Sequence, residues 1–139
     1  MESRNVAIAA LVLRLSLGAM FLAHGLTKVL VFTPAGTVAF FASLGIPAIF
    51  AWLTMLAEVG GGILLLAGVQ VRWVALLQLP VLLGALVVHG GNGWMFSNAN
   101  GGWEFPAFWA VAQVILALLG DGARLVGHVG VGLDLAACH

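Results

Sequence analysis

The chain has 139 residues, of which 63% are hydrophobic and 7% charged, and its 5 basic and 5 acidic side chains cancel. So apolar a composition belongs to a lipid-embedded protein rather than a soluble domain, and the sparse, balanced charge leaves no basic surface for nucleic acid. The single cysteine, Cys138, excludes an intrachain disulfide and a self-contained thiol relay.

The first apolar run spans residues 6–32, after the polar start Glu2-Ser3-Arg4-Asn5. It is longer than the core of a usual signal peptide and carries Arg14 within it, so an uncleaved helix is expected. Residues 33–46 form the first connection. Its apolar stretch 37–44 is too short to cross a bilayer and is expected to lie in the interface as a short helix, ended by Gly45 and Pro47.

A second run covers residues 47–68 and a third 73–89, with Arg72 in the tight turn between them and Pro80 predicting a kink in the third. Residues 90–103 are rich in Gly and Asn and carry Trp94 and Trp103, rings suited to the headgroup level. The fourth run, 105–120, opens with Glu104 and Pro106, an acid and an imino acid favoured in a first helical turn. A tail of residues 121–139 follows, and its final pair Cys138-His139 is too small a set for a closed metal site.

At ~1.5 Å per residue, each of the four runs can cross or nearly cross a hydrocarbon core of ~30 Å. The expected fold is an all-α integral membrane protein, a four-transmembrane-helix bundle forming a single domain over residues 1–139. Arg4, Arg72 and Arg124 fall on one side of such a bundle, which by the positive-inside rule makes both termini cytoplasmic.

Polar side chains inside hydrocarbon are expensive, so function is sought at Arg14, His24, Lys28, Glu58, Gln78, His89 and Gln113. Arg14, His24 and Lys28 share a sector of ~80° on the first helix, and Gln78 and His89 lie ~20° apart on the third. Each helix then has one polar stripe facing the bundle interior. Counted from Val6 and from Gly68, Arg14 and Glu58 lie ~12 and ~15 Å from the cytoplasmic side, which predicts an internal ion pair. Arg14, Glu58, Gln78 and Gln113 are thus expected as a structural polar core, with Gly18 and Gly60-Gly61-Gly62 allowing close helix approach or leaving a niche. His24 and His89, each followed by glycine, are expected to meet near the outer face beneath the 90–103 loop.

Motifs for phosphate, zinc or a nucleophile elbow are absent, and no metal site is expected. Two histidines on different helices have the arrangement of haem ligands, but nothing else in the sequence marks a haem cavity, and haem is not expected.

The segment Arg14-Leu15-Ser16-Leu17-Gly18-Ala19-Met20-Phe21-Leu22-Ala23-His24-Gly25-Leu26-Thr27-Lys28 resembles the first helix of the DoxX family. Ser43-Leu44-Gly45-Ile46-Pro47, the stretch Ala57-Glu58-Val59-Gly60-Gly61-Gly62, and His89-Gly90 with Asn92-Gly93 and Trp103-Glu104 extend the resemblance in order along the chain. It departs after Gly120, where Asp121-Gly122-Ala123-Arg124 and a longer tail with Leu133-Asp134 replace the family's shorter ending. The resemblance implies a small four-helix protein of the bacterial inner membrane, associated with respiratory or redox complexes.

A membrane subunit that binds quinone or anchors such a complex is therefore expected, with protein partners carrying the redox centre. Quinone needs an apolar slot for its tail and donors for its carbonyls, and Arg14, His24, Lys28, Glu58 and His89 are the candidates. A purely structural subunit is the alternative. A small-solute or proton pathway is a third, against which the short chain and the lack of broken-helix halves count.

Overall fold

The computed structural model describes residues 2–121, so Arg124, Leu133, Asp134, Cys138 and His139 lie outside the described residues. Those residues are helical with no strand: α1 (Glu2–Leu26), α2 (Thr33–Ser43), α3 (Ala48–Ala67), α4 (Val71–His89) and α5 (Glu104–Leu119). Ser3–Val31, Ala48–Ala67 and Val71–Asn92 are long and apolar enough to cross a membrane, while Glu104–Leu119 is a shorter apolar helix.

The first helix begins earlier than the apolar pattern indicates, because polar residues continue a helix as readily as apolar ones and Glu2-Ser3-Arg4-Asn5 extends it. It also changes character at its far end. Thr27–Val31 widens into a π turn, closed by Phe32 N–H donating to the Thr27 carbonyl at 3.0 Å. Thr33, the residue before Pro34, turns to φ +67°, with its Oγ1 accepting from the Gly36 N–H at 3.2 Å. That elbow separates α1 from α2.

The bundle is built from two antiparallel pairs, α1 with α3 and α4 with α5. Glycine sets the first pair. A Cβ on Gly25 would fall 2.8 Å from Val59 N, one on Gly62 2.7 Å from Leu22 N, and one on Gly18 3.1 Å from Leu66 N. Such backbone approach is how helices associate where lipid removes the hydrophobic drive between them. The close approach expected of these glycines holds at Gly62, which is filled by α1, and the space at Gly61 is filled by the amide of Gln78.

Between α3 and α4 the chain reverses at Gly68 (φ +76°), where Val69 N–H bonds back to Leu64 O at 2.9 Å. The α4 helix runs unbroken from Val71 to His89 past Pro80. Leu17, Phe21, Leu65, Val71, Ala75, Leu82, Trp109 and Leu116 make one core cluster. Outside it, Leu77 (74% exposed), Val87 (81%) and Leu118 (75%) form part of an apolar exterior far larger than a water-soluble monomer shows. The chain is a multi-pass membrane protein.

Candidate functional site

Register decides which polar residues meet. Gly25 faces Glu58 and Val59, Gly18 faces Leu65 and Leu66, and Gly68 faces the Arg14 guanidinium. Arg14 is therefore level with the end of α3. Glu58 is level with Gly25, and the residues between positions 14 and 25, at ~1.5 Å each, separate the two levels by ~16 Å. The expected Arg14–Glu58 pair does not form, because α1 starts below Val6 and the end of α3 meets it well above that point.

Arg14, 1% exposed, instead ties the ends of helices together. Its Nη1 donates to the Asp121 carbonyl at 2.7 Å, just beyond α5. Val71 N–H, at the start of α4, reaches Asp121 Oδ1 at 3.3 Å, and Arg72 Nε donates to Ala117 O at 3.1 Å. Cations thus sit at the negative end of α5 and a carboxylate at the positive end of α4, as the helix dipoles favour. Asp121 was not a candidate in the sequence; an acid directly after a helix-ending glycine is its only signal.

Glu58 pairs with Lys28 instead. Nζ lies 3.0 Å from Oε1 and 2.9 Å from Oε2, with hydrogen-bond geometry met at Oε1 alone. Lys28 stands in the π turn, and its carbonyl accepts from Thr37 Oγ1 at 3.0 Å, which places α2 against the pair. Thr37 is 3% exposed. The Glu58 side chain is 6% exposed and that of Lys28 22%, so the cation opens outward and the carboxylate does not.

Gln78 and Gln113 form a directed amide ladder. Gln113 Nε2 donates to Gln78 Oε1 at 2.9 Å and to Ala75 O at 3.2 Å, and Gln78 Nε2 donates to Ala57 O at 3.0 Å, linking α5, α4 and α3. Only a glycine at position 61 admits the Gln78 amide.

The two histidines part company. His24 does not end its helix, and its side chain is exposed rather than turned inward with the rest of the polar stripe. Its ring lies edge-on to Trp109 with centroids 4.9 Å apart and stacks loosely on Phe105 at 6.4 Å. Trp109 also packs on Phe21 at 4.7 Å. No hydrogen bond is made by the His24 imidazole among the described residues.

His89 belongs to the 90–103 loop. Its Nδ1 lies 3.1 Å from Asn100 O and 3.0 Å from Gly101 O, and Asn92 Nδ2 donates to the same two carbonyls at 3.2 and 2.9 Å. Positive φ at Asn100 (+64°) and Gly101 (+76°) turns those carbonyls toward it. Carbonyl oxygens only accept, so these two favour a proton on Nδ1 of a neutral His89, against the Asn92 Nδ2 donor that lies 3.4 Å from the same nitrogen. The loop covers His89 as expected, but no contact joins the two imidazoles among the described residues.

Beside the loop lies an apolar groove of about 620 Å³ walled by Trp94, Phe96, Trp103, Phe105 and Phe108. Phe105 is common to this groove and to His24. No cluster of three metal-ligating side chains occurs among the described residues.

The sequence model of the DoxX family matches residues 9–91. The chain is also 31% identical over 119 residues to a Bacillus subtilis (strain 168) protein named "Putative oxidoreductase CatD", covering 86% of this chain and 84% of that protein. No solved structure matches. The chain belongs to the DoxX family.

Proposed function

We propose that this DoxX-family chain is a membrane subunit of a redox complex of the bacterial inner membrane, and that it receives a quinone headgroup at His24. The observation carrying this is the His24 imidazole itself, exposed on a membrane-spanning helix, flanked by Phe105 and Trp109, and without a hydrogen-bond partner among the described residues. A polar ring in hydrocarbon is costly unless something meets it. A quinone is flat enough to lie on the aromatic rings and offers carbonyls that accept from a ring N–H. Lys28, one turn further along and partly open to the outside, supplies a second donor, and Glu58 behind it supplies a carboxylate. The groove at Phe105 has room for ring or tail.

In this arrangement α1, α3, α4 and α5 each cross the membrane, and α2 lies along the outer interface with Phe40 and Leu44 exposed. Both termini then face the cytoplasm, with Arg4 and Arg72 on that side. The chain's own residues bind and orient the headgroup and hold a proton near it, while a protein partner supplies electrons.

A purely structural subunit is the second reading. It draws on Arg14, Gln78 and Gln113, each of which donates to a main-chain carbonyl of another helix or of the segment just beyond it. Purification in mild detergent, followed by solvent extraction of quinone and identification of co-purifying chains, separates the two. Quinone that is lost in His24→Ala without unfolding, together with a redox partner, supports the quinone site. A quinone-free complex whose assembly alone suffers in His24→Ala replaces it with the structural role.

A further inference from the structure

We propose that the core between α1, α4 and α5 binds a single hydroxyl group, which accepts a hydrogen bond from Trp109 and donates one to Gln113. Trp109 is 5% exposed and Gln113 1%, yet Trp109 Nε1 and Gln113 Oε1 have no hydrogen-bond partner among the described residues. Indole nitrogen can only donate, and the Gln113 oxygen can only accept. Which end of the Gln113 amide is unsatisfied is fixed by the ladder. Its nitrogen is committed to two acceptors, Gln78 Oε1 and Ala75 O, so the oxygen is the end left over, and although it is complementary to the indole N–H the two atoms are not within hydrogen-bond reach of one another.

Positions 109 and 113 stand one turn apart on α5, ~40° apart in direction, and side chains lean toward a helix N-terminus, which tips Gln113 toward Trp109. One donor and one acceptor left over on one helical face call for a group that accepts and donates through the same atom. A hydroxyl oxygen does this; a carbonyl, an ether or a metal ion does not. Buried polar atoms in a membrane bundle have no bulk water to turn to, and an ordered hydroxyl satisfies both at once. Two sources share that chemistry: an internal water, and the phenolic hydroxyl of a lipid-soluble quinol entering past the exposed His24, whose ring touches Trp109. The site stands independently of whether His24 receives a quinone.

The test is proton-detected solid-state NMR of the full chain, labelled with ¹⁵N-indole tryptophan, in nanodiscs of phosphatidylcholine and phosphatidylglycerol. Trp109→Phe identifies the resonance by its loss. Magnetisation transferred from water to the Trp109 indole proton, and abolished by Gln113→Leu, establishes the water form. Transfer from water that is replaced by transfer from quinol ring protons when a short-chain ubiquinol is added establishes the quinol form. An indole resonance at a non-hydrogen-bonded shift, with no transfer from either source, overturns the proposal. That last measurement is made on the unsubstituted protein and decides the matter even if Gln113→Leu fails to fold.

Discussion

Lys28 and Glu58 face one another where the π turn meets α3, with both carboxylate oxygens within 3.0 Å of the ammonium. The pair is asymmetric, since the carboxylate is enclosed and the lysine is 22% exposed. Removing one partner of a buried pair strands the other at about 3 to 5 kcal/mol. Lys28→Met, which strands the enclosed carboxylate, is expected to reach that range. Glu58→Leu should cost less, because the long lysine stem can carry its charge to the interface. The double substitution should cost less than the sum. Reversible unfolding in mixed detergent micelles measures all three, and equal effects of the single changes would contradict the asymmetry.

Arg14 holds the far end of α5 through Asp121 O, a charge-assisted bond of about 1.5 to 3 kcal/mol. Arg14→Gln is expected to lower stability by about that amount and to speed amide exchange at the end of α5 and the start of α4. Exchange near Glu58 should remain as in the parent protein. If exchange rises at Glu58 instead, the two residues are coupled after all.

Gly25 and Gly62 bring α1 and α3 into backbone contact. Gly25→Val and Gly62→Val each place atoms where backbone or Cβ atoms already lie, and overpacking of this kind costs about 1 to 3 kcal/mol or more. Gly84, with nothing within 4 Å of its Cβ direction, is the control: Gly84→Ala should be neutral or stabilising. Thermal unfolding in detergent distinguishes them.

His89 is expected in the Nδ1–H tautomer, held by the carbonyls of Asn100 and Gly101. Nitrogen-15 NMR of ring-labelled histidine near neutral pH reports the tautomer directly. His89→Ala should loosen the 90–103 loop, seen as faster proteolysis from the outer side in oriented vesicles, and should leave quinone retention at His24 unchanged. An Nε2–H signal from His89 would contradict the assignment.

Much of this was legible in the chain. Long apolar runs dictate helices, since only intrahelical bonds satisfy a backbone in lipid, and Gly68, Gly90 and Gly120 mark helix ends because their position outweighs the surrounding apolar pattern. The rarity of polar groups singled out Arg14, Glu58, Gln78 and Gln113, all of which are buried. Membership of the DoxX family was visible in the order of those motifs.

Which polar group meets which was decided only by the tertiary structure. An apolar pattern locates a helix to within a turn or two, whereas an ion pair requires register to within a residue. That register comes from Gly18, Gly25 and Gly62 packing against the opposite backbone. It carries Glu58 past Arg14 to Lys28, and the π turn and Thr37 then complete the surroundings of the pair. Helical periodicity likewise assigned His24 a face but not its neighbours, because Phe105 and Trp109 arrive from a helix eighty residues along the chain. Composition and periodicity act along one helix; the close approach of glycines acts between two, and that is where the partners were chosen.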